Sequence, residues 1–223
     1  MVAVLATSLS LAAAPSALMA EDSRHIVYIE ASTAHLWKLD EFPARVRTAR
    51  FQFQVIREYQ FDKSRVVERV LSDSDPRLDV VIVQECSVYF PGDMATYRRQ
   101  YRGWIEDLLA RGLRPVIATV VPPAQNQGWW QGAKDFVKQK VLGRPSRIEQ
   151  VVSFNDWLRK LGAELAVPVF DLEVLLRISA EDRHMRPEYD AGDGVHLSSL
   201  AYERLDKDLL AFLDGLGWRA APD

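Results

Sequence analysis

The sequence predicts an α/β protein: a three-layer α/β/α sandwich built on a largely parallel, five-stranded sheet. Two observations carry this. Short apolar runs rich in β-branched and aromatic residues alternate with amphipathic stretches of helical period. One of those runs, Leu78-Asp79-Val80-Val81-Ile82-Val83, is almost continuously apolar, the mark of a strand covered on both faces. Strands separated by helices imply crossover connections and a parallel sheet. At 223 residues, 48% hydrophobic and 26% charged, the chain fits one domain with a substantial core, assigned to 21–223.

The elements follow in order. His25-Ile26-Val27-Tyr28-Ile29 reads as the first strand, over about 25–30. A helix is expected over 36–48, with Pro43 as a break or a second start. Phe51-Gln52-Phe53-Gln54-Val55-Ile56 alternates and reads as the second strand. A helix over 62–71 takes Asp62 as its cap and buries Val66, Val67, Val70 and Leu71. After the third strand, 78–83, a helix runs over 93–111. The fourth strand spans 114–121 and stops at Pro122-Pro123. An irregular insertion over 125–143 holds Gly128, Trp129, Trp130 and Gly132. A helix over 148–165, a short strand over 167–171 and a long loop over 179–194 lead to a last helix at 198–213.

Composition narrows the function. The formal charge is −3, and the densest basic group, Arg98-Arg99 with Arg102, suits a solvated helix face, so nucleic acid is not expected as a partner. The single Cys86 excludes an internal disulfide and a cysteine-rich zinc site. It follows a buried strand and reads as a packed thiol. Residues 1–20 carry no charge and are mostly Ala, Leu, Val and Ser, with small residues at Ala17 and Ala20. This composition predicts a cleaved export signal and hence a periplasmic or secreted protein. Pro15 and the short apolar length argue against a membrane span, so the mature chain is expected to hold no integral membrane segment.

Two groups of residues point to chemistry. Asp193-Gly194-Val195-His196-Leu197 places an acid three residues before an imidazole, between glycines and the start of a helix. On a tight turn Asp193 can hold one ring nitrogen of His196 and leave the other as a general base. Ser32, just past the carboxyl end of the first strand, stands where open α/β sheets place ligands. Its hydroxyl becomes a nucleophile only beside a base. Each element alone also reads as ordinary structure: a turn or capping serine, and a surface Asp-His pair at a helix start. Glu30 and Glu85 end strands that are neighbours in such a sheet, so the two carboxylates could face each other, one with a raised pKa, or each could bind backbone N–H groups or arginine. His35 reads as a helix start or pocket wall, His25 as a strand start and His184 as a solvated loop residue. None of the histidines has metal-ligand spacing, and no metal or cofactor is expected. Trp129 and Trp130 read equally as a sugar-stacking platform or as pins for a loop.

A serine after the first strand, joined to Asp193-Gly194-Val195-His196-Leu197 before the last helix, resembles the SGNH/GDSL hydrolase superfamily over nearly all of the chain past residue 20. The resemblance implies the flavodoxin-like arrangement of that fold and a triad of Ser32, His196 and Asp193 that cleaves esters through an acyl-enzyme. The family's Gly-Asp-Ser stands here as Glu30-Ala31-Ser32, which keeps the serine and departs from the rest. The family's oxyanion Gly has no counterpart in Glu58-Tyr59-Gln60-Phe61-Asp62, and Ser87 falls where the family has Asn. Ser87 and main-chain groups near Gln60 or Cys86 are the substitutes, with Glu85, Trp129 and Trp130 as further lining residues. The function implied is hydrolysis of acyl esters, including acetyl esters of carbohydrates, with a small-molecule or carbohydrate ester as substrate. The alternative is a non-catalytic or acyltransferase-like domain of the same fold that binds a carbohydrate or acylated ligand.

Overall fold

Strands form where β-branched and aromatic residues concentrate. The computed structural model describes residues 23–75, 77–125 and 145–217. In it β1 (Arg24–Glu30), β2 (Phe51–Arg57), β3 (Leu78–Gln84), β4 (Arg114–Ala118) and β5 (Val169–Phe170) make one sheet ordered β2-β1-β3-β4-β5, with every pairing parallel. The expected sandwich is therefore present. The strand order reverses at β1, which opens a crevice beyond the carboxyl ends of β1 and β3.

Alternation along each strand divides the core in two. Ile26 and Tyr28 of β1, Val80 and Ile82 of β3 and Val116 of β4 pack toward α1 (Thr33–Leu36), α2 (Phe42–Arg45) and α7 (Ser199–Gly215). Val27, Ile29, Val81, Val83 and Ile117 pack toward α3 (Ser64–Leu71), α4 (Met94–Ala110) and α5 (Arg147–Leu165). Among the described residues no helix is long and apolar enough to cross a membrane.

Several boundaries differ from the sequence expectation, each for a physical reason. The helix expected over 36–48 is two single turns, α1 and α2: Pro43 stands in the first turn of α2, as a second start, Lys38 between them takes a left-handed φ of 52°, and Arg47 (φ 54°) follows the end of α2. Asp62 does not cap α3; its Oδ1 accepts the N–H of Ser64 (3.0 Å) in the turn before the helix. β4 ends at Ala118 rather than 121. The amide of buried Asn155 takes both backbone groups of Val120, receiving its N–H at 2.8 Å and donating to its carbonyl at 2.9 Å. A side chain thus replaces the neighbouring strand. β5 is only two residues long and leads into α6 (Leu172–Leu176), a helix not expected from the sequence.

Beside these strand ends lies a fully buried carboxylate, Glu173. It accepts from Asn155 Nδ2 (2.8 Å), from Arg159 (3.1 Å) and from both Nε and Nη2 of Arg183. A buried charge is tolerated only when paired and hydrogen-bonded in this way. Arg183 also grips Asp156 (2.8 and 2.9 Å), so the loop after α6 is fastened to α5.

α5 can lie this close to β5 because of Gly162. A Cβ there would run into a methyl of Val169 and stand 2.9 Å from the Val167 carbonyl oxygen. Neither neighbour is the end of a flexible chain. Gly162→Ala gains about 1 kcal/mol of helix propensity. We expect the clash to outweigh it, with a net loss of at least about 1 kcal/mol in urea unfolding.

Candidate functional site

The acid and the imidazole are brought together by their own loop. Asp190 Oδ1 accepts the N–H groups of Gly192 (3.0 Å) and Gly194 (2.9 Å), which folds the chain back on itself. Gly192 and Gly194 take φ angles of 105° and 76°, where side chains are disfavoured. Asp193 Oδ1 then accepts the N–H groups of Val195 (2.9 Å) and His196 (2.8 Å). Its Oδ2 lies 2.5 Å from His196 Nδ1. Partial burial pushes the Asp193 carboxyl up, and the N–H and ring of His196 outweigh this, holding it down at about 2. The carboxylate is therefore ionised at neutral pH and fixes His196 with Nε2 outward. Ser198 starts α7 directly after, accepting the Ala201 N–H (3.4 Å) as its cap.

Ser32 sits at the carboxyl end of β1, two residues past Glu30. It begins α1 by position, yet its hydroxyl makes no capping bond. Buried Glu30 serves the turn instead, accepting the His35 N–H at 3.2 Å. Gln84 at the end of β3 braces the same segment. Its Oε1 receives the Tyr28 hydroxyl (2.9 Å), and its Nε2 donates to Thr33 Oγ1 (3.4 Å).

Ser32, Asp193 and His196 line one open cleft of about 890 Å³. Ser32 Oγ and His196 Nε2 make no hydrogen bond to each other or to any other described residue. Two ties hold the serine segment to α7. Asp206 accepts from Trp37 Nε1 (2.7 Å) and from Arg45 Nε and Nη2 (2.8 and 2.9 Å). Trp37 also stacks on Tyr202, with centroids 6.1 Å apart. Tyr202 lines the cleft, and its buried hydroxyl has no partner among the described residues. Burial, with Glu30 and Asp193 nearby, pushes this phenol well above its ordinary value.

Behind Ser32 lies a second space of about 20 Å³, bordered by Gln84, Ser87, Gly194 and Arg147 among others. It is the size of one oxygen atom with its hydrogens. Ser87 borders it as the sequence suggested, whereas Arg147, the first residue of α5, was not signalled. Nothing in the local sequence pattern marks a helix-start arginine as a site residue.

The remaining expectations divide. Cys86 lines the cleft, and burial pushes its thiol up, away from thiolate chemistry. His35 is exposed and lines the cleft wall. Gln60 borders neither space. Its N–H is taken by Glu58 Oε1 (2.9 Å) and its carbonyl by Lys63 Nζ (3.0 Å). The neighbouring Tyr59 reaches the cleft instead. Trp129 and Trp130 lie outside the described residues.

Glu30 and Glu85 are both buried, and each finds a partner of its own. Glu85 borders the small space and pairs with Lys63, Nζ to Oε2 at 3.0 Å; Lys63 is only 1% exposed. The Tyr97 hydroxyl faces the same carboxyl without closing a hydrogen bond. Burial pushes both carboxyls up to about 7, against the pull of Lys63 and of backbone N–H groups.

Comparison with solved structures places the architecture. A GDSL-like lipase from Bacteroides thetaiotaomicron superposes with a TM-score of 0.63 at 14% identity, over 86% of this chain and 89% of that one. A putative SGNH hydrolase from Slackia heliotrinireducens gives 0.59 at 18%, over 86% and 99%. A catalytic mutant of an acetylxylan esterase from Geobacillus stearothermophilus gives 0.56 at 11%, over 90% and 97%. No family model and no curated protein sequence matches significantly. The chain has the SGNH/GDSL hydrolase fold.

Two outcomes follow from the buried charges. Lys63→Met strands Glu85, and a stranded buried partner costs about 3–5 kcal/mol. We expect that loss at pH 8 in urea unfolding, a smaller loss at pH 5 where Glu85 takes up a proton, and recovery of most of it in Lys63→Met/Glu85→Met. Glu30 rises from 4.5 in the free residue to about 7 in the fold. Its contribution is thus favourable below pH 4.5 and is lost as pH climbs through 7. Glu30→Gln should exceed the parent in stability by roughly 3 kcal/mol at pH 9, and the gap should close by pH 4.

Proposed function

We propose that the chain is a serine esterase acting on carboxylic esters. The observation that carries this is the shared cleft: Ser32 after β1 and the Asp193-held ring of His196 before α7 border one space. In this reading Ser32 Oγ attacks the ester carbonyl while His196 Nε2 takes its proton. Asp193 accepts from Nδ1–H and stabilises the imidazolium. Collapse of the tetrahedral adduct breaks the bond to the alkoxide, which leaves with the proton from His196. Water, deprotonated by the same ring, releases the acid and restores Ser32.

The developing oxyanion needs donors. The space of about 20 Å³ behind Ser32 has room for that one oxygen, and Ser87 and Arg147 border it. These groups stand in for the Gly and Asn that the fold commonly uses there. The uncharged stretch at 1–20 supports export of the protein.

A second reading has one observation in its favour. The Gly and Asn are missing, which fits a domain of this fold that binds an acylated or sugar ligand without cleaving it. Fluorophosphonate labelling separates the two. We expect labelling of Ser32, located by mass spectrometry, and its loss in Ser32→Ala. Hydrolysis of p-nitrophenyl butyrate should fall by on the order of a thousandfold or more in Ser32→Ala and in His196→Ala. Unlabelled protein, or equal rates in parent and Ser32→Ala, overturns the esterase.

A further inference from the structure

Buried apolar side chains need no explanation, but exposed ones gathered in one place do. Leu36, Tyr59, Val88 and Tyr89 are all exposed, and all four line the cleft that holds Ser32 and His196. They come from three separate segments: α1, the turn after β2 and the 3₁₀ turn Ser87–Tyr89 after β3. Tyr59 and Tyr89 meet edge to face with centroids 5.9 Å apart, which joins two of these segments into one apolar wall, and Leu36 lines the same cleft from α1.

The opposite wall differs. Asp193, His196, Ser199 and Tyr202 bring polar groups to it from the Asp-His loop and α7, interleaved with Ala191, Val195 and Leu197. A base that returns its proton to the leaving alkoxide must have that alkoxide on its own side. The acyl group then lies on the side away from His196, against the apolar wall. The polar space behind Ser32 has room for the carbonyl oxygen alone and leaves the rest of the acyl group nowhere else to go.

We propose that this wall binds an apolar acyl chain of medium length, roughly six to eight carbons, so that the cleft selects such esters over acetyl esters. The proposal rests on the esterase reading for its orientation. Three features argue for an alkyl chain over a sugar. Leu36 and Val88 offer aliphatic contact, which has no flat face for a pyranose to stack on. None of Leu36, Tyr59, Val88 or Tyr89 carries a charge or an amide to read a ring of hydroxyls. The open cleft, at about 890 Å³, is far larger than a two-carbon acyl group needs.

The test has a kinetic arm and a binding arm, both on the full chain. The first measures kcat/KM for p-nitrophenyl acetate, butyrate, hexanoate and octanoate, and for an acetylated xylo-oligosaccharide. The second titrates Ser32→Ala with octanoate and with acetate, by calorimetry. Each is repeated with Leu36→Ser/Val88→Ser added; both positions are exposed, so the fold is kept. The expected result is a rise of about tenfold or more from acetate to octanoate, through KM, that the double substitution reduces about tenfold. Octanoate should bind Ser32→Ala where acetate does not, and the double substitution should weaken it. If no ester is cleaved yet octanoate binds in this way, the esterase falls and the apolar site stands. A preference for acetyl or for acetylated sugar, a chain-length preference that the double substitution leaves intact, or no octanoate binding overturns the proposal.

Discussion

One carboxylate ties the segment after β1 to the helix that follows the Asp-His loop. Asp206 on α7 receives the indole N–H of Trp37 and two N–H groups of the Arg45 guanidinium. Charge-assisted bonds of this kind are about twice as strong as neutral ones, and the paired guanidinium fixes direction as well as distance. Everything that follows Ser32 up to α2 is thereby referenced to the helix that follows His196. The sheet fixes where β1 ends, and the Asp190–Gly194 turn fixes where the imidazole points. Asp206 is what sets one against the other. Tyr202, one turn earlier on α7, stacks on the same Trp37 and adds an apolar contact to the polar one.

The floor of the crevice departs from an apolar norm. Two carboxyls and one ammonium are buried at the ends of β1, β3 and the start of α3. Lys63 reaches the Gln60 carbonyl (3.0 Å) as well as Glu85, so the turn after β2 is stitched to the end of β3. That turn carries Tyr59 to the cleft wall. The arrangement holds the turn that carries Tyr59 against the end of β3.

Much of this was legible from the sequence because both signals are local. Strand runs such as Ile26-Val27-Tyr28-Ile29 are driven by burial on two faces, and their period is visible in any short window. Asp193 and His196 are three apart, so their bond is made within one turn. What could not be read lies across the chain. Pro43 marks the second start within 36–48, whereas the left-handed bend at Lys38 has no compositional sign. The early end of β4 depends on Asn155, thirty-five residues downstream. Gln60 looked like a donor to the site, yet its N–H and carbonyl are both taken by Glu58 and Lys63. The partnership of Lys63 with Glu85 joins positions that share no period. Long-range pairing of that kind is set by topology, which a single sequence shows only as strand order.

The enclosure of Lys63 has a use beyond stability. Its amine is the nucleophile that acylating reagents seek, yet it has almost no contact with solvent. Amine-directed reagents will therefore spare it while they mark the exposed Lys38, until the turn over it lifts. The rate at which that one position becomes modified reports how often the floor of the crevice opens, a clock for local breathing written into the protein itself.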